Sequence, residues 1–275
     1  AVFASDMSMP GQAYMKVLMA HRAHAVVRAV DTSRAEALDG VLLVLTARDV
    51  PSNEFGYYSY DQPVLCGSGP KPYTDRVRFV GDRVAAVVAE SEEIAARALE
   101  LIDVEYEDLP VVCDMEAALE PDAPLLHPEL GTNQFGHHFL RNGDLQAGFR
   151  DADVVVEAVY NTPAQEHAYL QTEAGLAYVD EAGRVAVVTT GQWGVKDRKQ
   201  IAHALGLEED QVRVIYPMTG GAFGGREDIS VQIVVALAAL RLQQQGQPRP
   251  VKIVWTREES ILAHCKRHPF RVYAR

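Results

Sequence analysis

Cysteine is scarce in this sequence of 275 residues, and its three thiols stand far apart, at Cys66, Cys113 and Cys265. Their odd number and wide spacing argue against a disulfide framework, and no CxxC pair suggests a metal site. An iron–sulfur cluster requires several clustered thiolates. Any such cluster would therefore have to be bound by another chain.

Basic clusters and long apolar runs are absent as well. The chain carries 38 acidic and 26 basic residues, a net charge of -12. Nucleic-acid binding requires clustered Lys and Arg, so we expect no nucleic-acid partner. The longest apolar stretch, Ile233 to Leu240, is far shorter than the roughly 20 residues of a membrane span. The N-terminal residues lack the regions of a signal peptide, and we expect a cytoplasmic protein with no membrane partner.

Common catalytic motifs are also missing. No Gly-x-Ser-x-Gly elbow occurs, and Cys265 has no evident base partner, which argues against nucleophilic hydrolysis. None of the nine histidines belongs to a His-Glu-x-x-His zinc motif. His264 and His268 have helical spacing, but Pro269 interrupts a helix there and no third ligand is near in sequence. We interpret the histidines as structural or surface residues.

The apolar pattern that is present predicts an α+β protein. In the first half, the predicted strands are residues 25–30, 41–46, 76–80, 84–89 and 103–107. The predicted helices are 34–38 and 93–101, and Ser91 is the predicted N-cap of the second. In the second half, the predicted strands are 153–157, 184–190, 212–216 and 251–255, and the predicted helices are 195–205 and 229–242. Residues 1–24 are weakly patterned, and residues 51–75 predict a long irregular loop. A linker at 121–143 is predicted to separate a unit of residues 1–120 from a unit of residues 144–275.

A glycine-rich segment, Thr219 to Asp228, lies between the predicted strand 212–216 and the predicted helix 229–242. Its four glycines surround Phe223. Glycine clustering exposes backbone N–H groups and lets a ligand approach the main chain. The following helix would direct its positive end toward the same place. We therefore predict that this segment binds an anionic or oxygen-rich ligand.

Nucleotide-binding folds explain this segment less well. A dinucleotide fold requires Gly-x-Gly-x-x-Gly, but Ala222 takes the middle position and no acid follows at the required distance. A phosphate P-loop requires Gly-Lys followed by Ser or Thr, which the sequence lacks. Gln192 follows the predicted strand 184–190, where its amide would donate a hydrogen bond to a metal-oxo or carbonyl oxygen. A glutamine at a strand end is otherwise usually a surface residue, and an NAD-binding oxidoreductase stays a weaker alternative.

The order of these motifs resembles the molybdenum-binding large subunit of the molybdenum hydroxylases, the xanthine dehydrogenase and aldehyde oxidase family. Residues 1–120 resemble the family's hammerhead-type α/β domain, through Thr46-Ala47-Arg48-Asp49-Val50-Pro51 and Val77-Arg78-Phe79-Val80-Gly81-Asp82. Residues 144–275 resemble the first part of the molybdopterin-binding α/β domain. That likeness depends on Gln165-Glu166-His167-Ala168, Thr190-Gly191-Gln192-Trp193 and the glycine-rich segment.

The resemblance implies specific site residues and a reaction. Gln192 and Phe223 would lie beside the metal, and Gln192 would hydrogen-bond its oxo group. The backbone contacts to the cofactor would come from Gly221, Ala222, Phe223 and Gly224. Glu227 would contact the substrate, which the resemblance implies is a purine or related N-heterocycle. Such a substrate would be oxidised at an electron-poor carbon, with water as the oxygen source.

The resemblance also implies cofactors and partners. The cofactor would be molybdenum–molybdopterin, with the cytosine dinucleotide form left open. Electrons would pass to [2Fe-2S] clusters and FAD on partner subunits or domains. The general-base glutamate is expected beyond Arg275, so this chain alone would be catalytically incomplete and would require the remainder of the molybdopterin-binding region.

Two departures and two alternatives accompany this interpretation. Ala222 and Arg226 stand where the family commonly has glycine and lysine, and Arg226 or Glu227 could simply balance charge at the helix start. One alternative is an oxidoreductase of the same family that acts on aldehydes or other heterocycles. The other is a non-catalytic structural fragment, and a truncated chain and a split subunit are both compatible with the sequence.

Overall fold

A seven-stranded mixed sheet organises most of the computed structural model, which describes residues 1–275. The strands are β1 (Ala13–Met19), β2 (Ala25–Asp31), β3 (Val41–Leu45), β4 (Arg76–Val77), β5 (Arg83–Ala89), β6 (Asp103–Asp108), β7 (Ala158–Thr162), β8 (Ala174–Val179), β9 (Val185–Thr189), β10 (Val212–Ile215), β11 (Val251–Val254) and β12 (Phe270–Ala274). The helices are α1 (Ser33–Glu36), α2 (Glu92–Leu99), α3 (Leu145–Asp151), α4 (Gly194–Leu205), α5 (Gln232–Gln244) and α6 (Arg257–Ala263). None of these helices has both the length and the apolar character that crossing a bilayer requires.

The large sheet contains strands from both halves of the sequence. Its order is β10-β9-β8-β11-β1-β5-β3. The two halves meet where β1 pairs in parallel with β11, with Ala13 opposite Val251. Strands β9 and β10 are also parallel, whereas the other neighbours are antiparallel. The predicted α+β class is confirmed, and its two sequence halves share one sheet.

Strand β1 lies in the segment for which the sequence predicted no element. Lys16 interrupts its apolar pattern, yet this side chain is buried. Its ammonium lies 2.9 Å from a carboxylate oxygen of Glu92 and 3.4 Å from one of Glu259. Burial alone lowers the pKa of Lys16, but these two acids outweigh burial and hold the pKa above its ordinary value. A charge in a central strand is thus compensated by residues that are distant in sequence, which a local pattern does not show.

Strand β5 is buried on both faces, as its continuous apolar run predicts. Ala85, Val87 and Ala89 pack with α2 in one core, whereas Ala86 and Val88 belong to a second, larger core. Ser91 begins α2 as predicted, because its side chain accepts a hydrogen bond from the N–H of Ile94. The sheet is therefore covered on both sides.

Helix α5 forms the centre of the larger core. Its residues from Ile233 to Ala239 are all buried, and a helix that is apolar all round is one that packs in an interior. Helix α4 lies beside it in the same core and ends at Leu205, followed by Gly206 in the left-handed conformation with φ 66°. These two helices support the strand ends that carry the candidate site.

Several predicted bounds were wrong. Residues 153–157 form no strand, and a strand occurs instead at β7, directly after them. The last long helix begins at Gln232 rather than at 229. The irregular loop at 51–75 is confirmed, apart from an isolated bridge between Phe55 and Gln62.

The chain contains two compact units. The first combines residues 1–111 with 168–265, and the second combines 112–167 with 266–275. Within the first unit, β4, β2 and β6 form a separate three-stranded sheet. Within the second unit, β7 and β12 pair antiparallel, and Arg271 and Tyr273 both bond to Glu116. The predicted boundaries at residues 120 and 144 divide the sequence into two segments, whereas each compact unit contains residues from both segments. These boundaries therefore stay a prediction.

Candidate functional site

The end of β9 and the glycine-rich segment lie side by side, and the side chain of Gln171 joins them. Its Nε2 donates to the Thr190 hydroxyl at 2.9 Å. Its Oε1 accepts a hydrogen bond from the N–H of Gly220 at 2.8 Å. Thr190 lies two residues before Gln192, and Gly220 lies three residues before Phe223. Two segments that the sequence singled out separately are therefore adjacent.

The glycine-rich segment adopts a backbone that L side chains seldom favour. Gly221 has φ 109°, Gly224 has φ 89°, and Phe223 itself has φ 53°. The N–H of Gly225 donates to the carbonyl of Ala222 at 2.9 Å and closes a turn around Phe223. Phe223 is 75% exposed. The turn thus projects one aromatic ring outward.

The N–H groups of Gly221, Ala222, Phe223 and Gly224 donate to no acceptor within the chain. Such a series of unused donors suits an oxygen-rich or anionic group. Helix α5 begins only at Gln232, and residues 226–231 intervene, so the contribution of its N-terminus stays a prediction. The backbone amides of the turn are the donors that the structure offers a ligand.

A buried aromatic and basic pair lies beneath the turn. The guanidinium of Arg226 donates to the carbonyl of Gly221 at 3.1 Å and to the carbonyl of Gln171 at 2.5 Å. Its central carbon lies 3.9 Å from the centre of the Tyr169 ring. The Tyr169 hydroxyl in turn donates to the buried carboxylate of Glu173. Burial lowers the pKa of Arg226, with Tyr169 and Glu173 acting against it.

His264 supports the same turn from its other end. Its Nε2 bonds to the carbonyl of Gly225, and its ring packs edge-on against Tyr169 at 5.2 Å. Helix α6 ends before it, at Ala263, so His264 and His268 do not share a helix. This agrees with the interpretation of His264 as a structural residue.

The turn that carries Gln192 wraps around the ring of Tyr216. A Cβ added to Gly191 would lie 2.7 Å from the Cζ of Tyr216, whereas one added to Gly194 would lie 3.5 Å from its nearest ring atom. The Tyr216 hydroxyl donates to the buried carboxylate of Asp197 at 2.6 Å. Gln192 itself is exposed and makes no hydrogen bond within the chain. Its amide is thus available to a ligand.

Asp197 is a buried acid at the start of α4. Besides Tyr216, the side-chain amide of Gln232 donates to it at 3.3 Å. Burial raises its pKa to about 6, with the two hydrogen bonds acting in the opposite direction and the negative charge of Asp228 adding to the rise. Asp197 therefore loses its proton near pH 6.

We expect this raised pKa to make the stability of the protein depend on pH. Because its pKa is raised in the folded state, Asp197 stabilises the fold at pH values below its unfolded-state pKa. That contribution is lost as pH rises through the folded-state pKa of about 6. Asp197→Asn keeps an acceptor for Tyr216 and cannot ionise. The variant should gain about 1–2 kcal/mol relative to wild type between pH 5 and pH 7.5. Unfolding of the full-length subunit at both pH values measures this, with exposed Asp210→Asn as control; an equal difference at both pH values would contradict it.

Glu227 lies near the C-terminal end of the glycine-rich segment. Its Oε2 is buried and has no hydrogen-bond partner within the chain. Its charge acts on Tyr57, whose pKa is raised by desolvation and then by the charges of Tyr58, Glu227 and Asp228. An unpaired buried carboxylate oxygen costs roughly 1–3 kcal/mol. A ligand that donates a hydrogen bond there would remove that cost.

The long irregular loop of the first half reaches this place. Tyr57 packs edge-on against Trp193 at 5.6 Å, and the ammonium of Lys196 lies 5.3 Å from the Tyr57 ring centre. The loop is anchored on α4 because the N–H of Gly56 donates to the side chain of Gln200 at 3.1 Å. Tyr57 and Trp193 thus form an aromatic flank beside the Gln192 turn.

The structure brings the predicted site residues into one region without direct bonds among them. Gln171 links Thr190, two residues before Gln192, to Gly220, which directly precedes the Gly221–Gly224 turn. The charge of Glu227 acts on Tyr57 of the aromatic flank. Sequence reasoning missed Gln171, Asp197, Tyr216 and Tyr57. The only sequence signals for them were the tyrosine-rich composition of the loop at 51–75 and a position next to the Gln165-Glu166-His167-Ala168 motif.

Two family models together match most of the chain. The model of the aldehyde oxidase and xanthine dehydrogenase a/b hammerhead domain matches residues 1–110. The model of the molybdopterin cofactor-binding domain matches residues 126–275. The candidate site draws on both matched regions, because Tyr57 comes from the first and the glycine-rich segment from the second.

Similarity to individual relatives and to a solved structure agrees with these matches. The chain is 42% identical to a probable xanthine dehydrogenase subunit of Bacillus subtilis, over 98% of this chain and 34% of the relative. It is 37% identical to the nicotinate dehydrogenase large molybdopterin subunit of Eubacterium barkeri, over 100% of this chain and 62% of the relative. The solved aldehyde oxidoreductase of Desulfovibrio gigas superposes with a TM-score of 0.82 at 27% identity, covering 98% of this chain and 30% of that one. The chain thus spans less than two thirds of the length of each.

Proposed function

The chain belongs to the aldehyde oxidase and xanthine dehydrogenase family of molybdenum-dependent oxidoreductases, and from this premise we propose that it forms one wall of a hydroxylase site for purines or related N-heterocycles. The substrate would be oxidised at an electron-poor carbon, with water as the oxygen source. Electrons would leave through [2Fe-2S] clusters and FAD on partner subunits or domains.

The residues of the chain fit a molybdenum–molybdopterin cofactor. The four unused N–H groups from Gly221 to Gly224 match its oxygen-rich character, and the exposed amide of Gln192 can donate to an oxygen. When bound, the cofactor supplies the oxidation chemistry, and the protein supplies binding, orientation and electrostatics. In this proposal Gln192 and the turn around Phe223 hold the cofactor face.

The unpaired Oε2 of Glu227 is the observation that carries the substrate class. A heterocycle with a ring N–H can donate to this oxygen and be oriented by it, whereas an aldehyde has no such donor. The names of two relatives, a probable xanthine dehydrogenase subunit and a nicotinate dehydrogenase subunit, support an N-heterocycle. Tyr57 and Trp193 offer ring faces beside the site, which suits a planar substrate.

Replacing Glu227 should separate heterocycle turnover from aldehyde turnover. In the complete enzyme, we expect Glu227→Ala to lower kcat/KM for xanthine about 10- to 100-fold, because an orienting hydrogen bond to a charged group is lost. Glu227→Gln should retain part of the activity. Turnover of an apolar aldehyde should change little in either variant.

The neighbouring exposed acid provides the matched control. Asp228→Asn removes a charge one residue away without touching the buried oxygen, and it should leave the kinetics close to wild type. Unchanged xanthine kinetics in Glu227→Ala, together with strong aldehyde turnover in the wild type, would remove the purine assignment. The result would then favour aldehyde oxidation, which the similarity to the Desulfovibrio gigas enzyme keeps as the second candidate.

Metal analysis distinguishes the two candidate activities, heterocycle oxidation and aldehyde oxidation, from a non-catalytic role. We expect stoichiometric molybdenum in the subunit purified with its partners. Absence of the metal from a complex that is otherwise intact would instead support a structural role for this chain.

A further inference from the structure

We propose that Gln171 is a positioning residue that holds the Gln192 turn and the glycine-rich turn at a set separation. This inference rests on the proposed function, since it concerns the two segments expected to face the cofactor. Gln171 makes no hydrogen bond to a predicted site side chain. It acts through the backbone of one segment and through Thr190 of the other.

The hydrogen-bonding chemistry leaves one orientation for the Gln171 amide. The N–H of Gly220 can only donate, so Oε1 has to face it, at 2.8 Å. The Nε2 group then faces the Thr190 hydroxyl, at 2.9 Å. Both ends of one short amide are therefore used, and each end holds a different segment.

Residues 171 and 220 are in close contact and share two hydrogen bonds. The backbone N–H of Gln171 also donates to the carbonyl of Gly220, at 3.4 Å. A Cβ added to Gly220 would lie only 2.6 Å from the Cβ of Gln171. Gly220 thus has to be glycine because Gln171 packs against its backbone.

The main chain that carries Gln171 is itself held in place. Its carbonyl accepts a hydrogen bond from Arg226, which also bonds to Gly221. The preceding carbonyls, of Tyr169 and Leu170, accept from the guanidinium of Arg257 at 2.7 and 3.0 Å. The Gln171 side chain therefore projects from an anchored backbone, which is what a spacer between two segments requires.

Loss of this bridge would remove the side-chain link between the strand end and the turn, although the turn would keep its backbone bond with Gln171 and its bond from Arg226. A misplacement of about 1 Å in a reacting constellation can cost about 100-fold in rate. We expect Gln171→Leu, which has a similar size and no polar atoms, to lower kcat/KM about 10- to 100-fold. Gln171→Glu should restore the rate to within about 3-fold, because the Thr190 hydroxyl can donate to a carboxylate that still accepts from Gly220.

Hydrogen exchange provides a measurement that does not depend on activity. In the full-length complex, the amide of Gly220 should exchange about 10-fold faster in Gln171→Leu than in wild type, because it loses its acceptor. The Gln171→Glu variant should exchange at the wild-type rate. Thr190→Val removes only the other end of the bridge, and it should lower kcat/KM at least about 3-fold with Gly220 still protected.

The outcomes separate this inference from the proposed function. Equal Gly220 exchange in Gln171→Leu and wild type would overturn it, as would equal impairment of the Leu and Glu variants at equal molybdenum content. If Gln171→Leu does not fold, an unchanged rate in Thr190→Val overturns it. A wild-type complex without molybdenum or hydroxylase activity would instead refute the proposed function, while the exchange result would still test the bridge.

Discussion

Gly191→Ala should abolish most of the activity of the complete enzyme without changing its subunit composition. The added methyl group would overlap the Tyr216 hydroxyl and lie 3.0 Å from the Oδ2 of Asp197. The tyrosine cannot move aside cheaply because its hydroxyl is bonded to that buried acid at 2.6 Å. The Gln192 turn has to shift instead. We expect about 1–3 kcal/mol lower stability and about a 100-fold lower kcat/KM.

Gly194 provides a control in the same turn. An alanine there would meet the Tyr216 ring at 3.5 Å, an ordinary van der Waals distance, and alanine favours the helix that begins at this residue. Gly194→Ala should therefore equal or exceed wild type in stability and keep its turnover. Steady-state kinetics and unfolding of both variants measure the difference. Equal behaviour of the two would refute the role assigned to the Tyr216 packing.

Arg226→Met should destabilise the glycine-rich turn more than any substitution of its exposed residues. The change removes two hydrogen bonds and leaves the carbonyls of Gly221 and Gln171 without these partners in a partly buried place. It also removes a cation held 3.9 Å above the Tyr169 ring. We expect a loss of about 2–4 kcal/mol, because the relief of burying a charge offsets only part of these costs. Molybdenum content should fall as the turn loosens.

Two variants make the arginine prediction specific. Arg226→Lys retains a cation above the ring but cannot bond both carbonyls in the same planar geometry, so it should lose an intermediate amount of stability. Arg213→Met removes an exposed arginine from β10 and should change stability by less than about 0.5 kcal/mol. Denaturant unfolding of the full-length subunit and metal analysis measure all three. A loss in Arg226→Met no larger than in Arg213→Met would contradict the prediction.

The secondary structure could be predicted from sequence where it depends on residues that are adjacent in the chain. The apolar run of β5 and the Ser91 cap of α2 were both predicted correctly, because burial and capping leave signatures in adjacent residues. Strand β1 could not be recognised, since the acids that compensate Lys16 come from α2 and α6. The start of α5 was placed too early because residues 229–231 are apolar or small like the helix that follows.

The candidate site divides in the same way. Gln192, Phe223 and Glu227 could be singled out because they stand in contiguous motifs, and their roles remain predictions. Asp197 gave no signal, since its partner Tyr216 lies 19 residues away and nothing near it in sequence reveals that it is buried. Tyr57 comes to the site through an anchor between Gly56 and Gln200, which are 144 residues apart.

The sequence by itself determined the α+β class, the family and the existence of a glycine-rich turn with free backbone donors. Local periodicity suffices for the class and a short motif for the turn, because both depend on neighbours within a few residues. The family, in contrast, was recognised by resemblance, from the order of several motifs along the chain. Only the tertiary structure decided that both halves share a sheet through β1 and β11, and that Gln171 joins the Gln192 turn to the glycine-rich turn. Pairings of this kind are set by which distant surfaces and polar groups satisfy one another on folding, and local pattern carries no record of them.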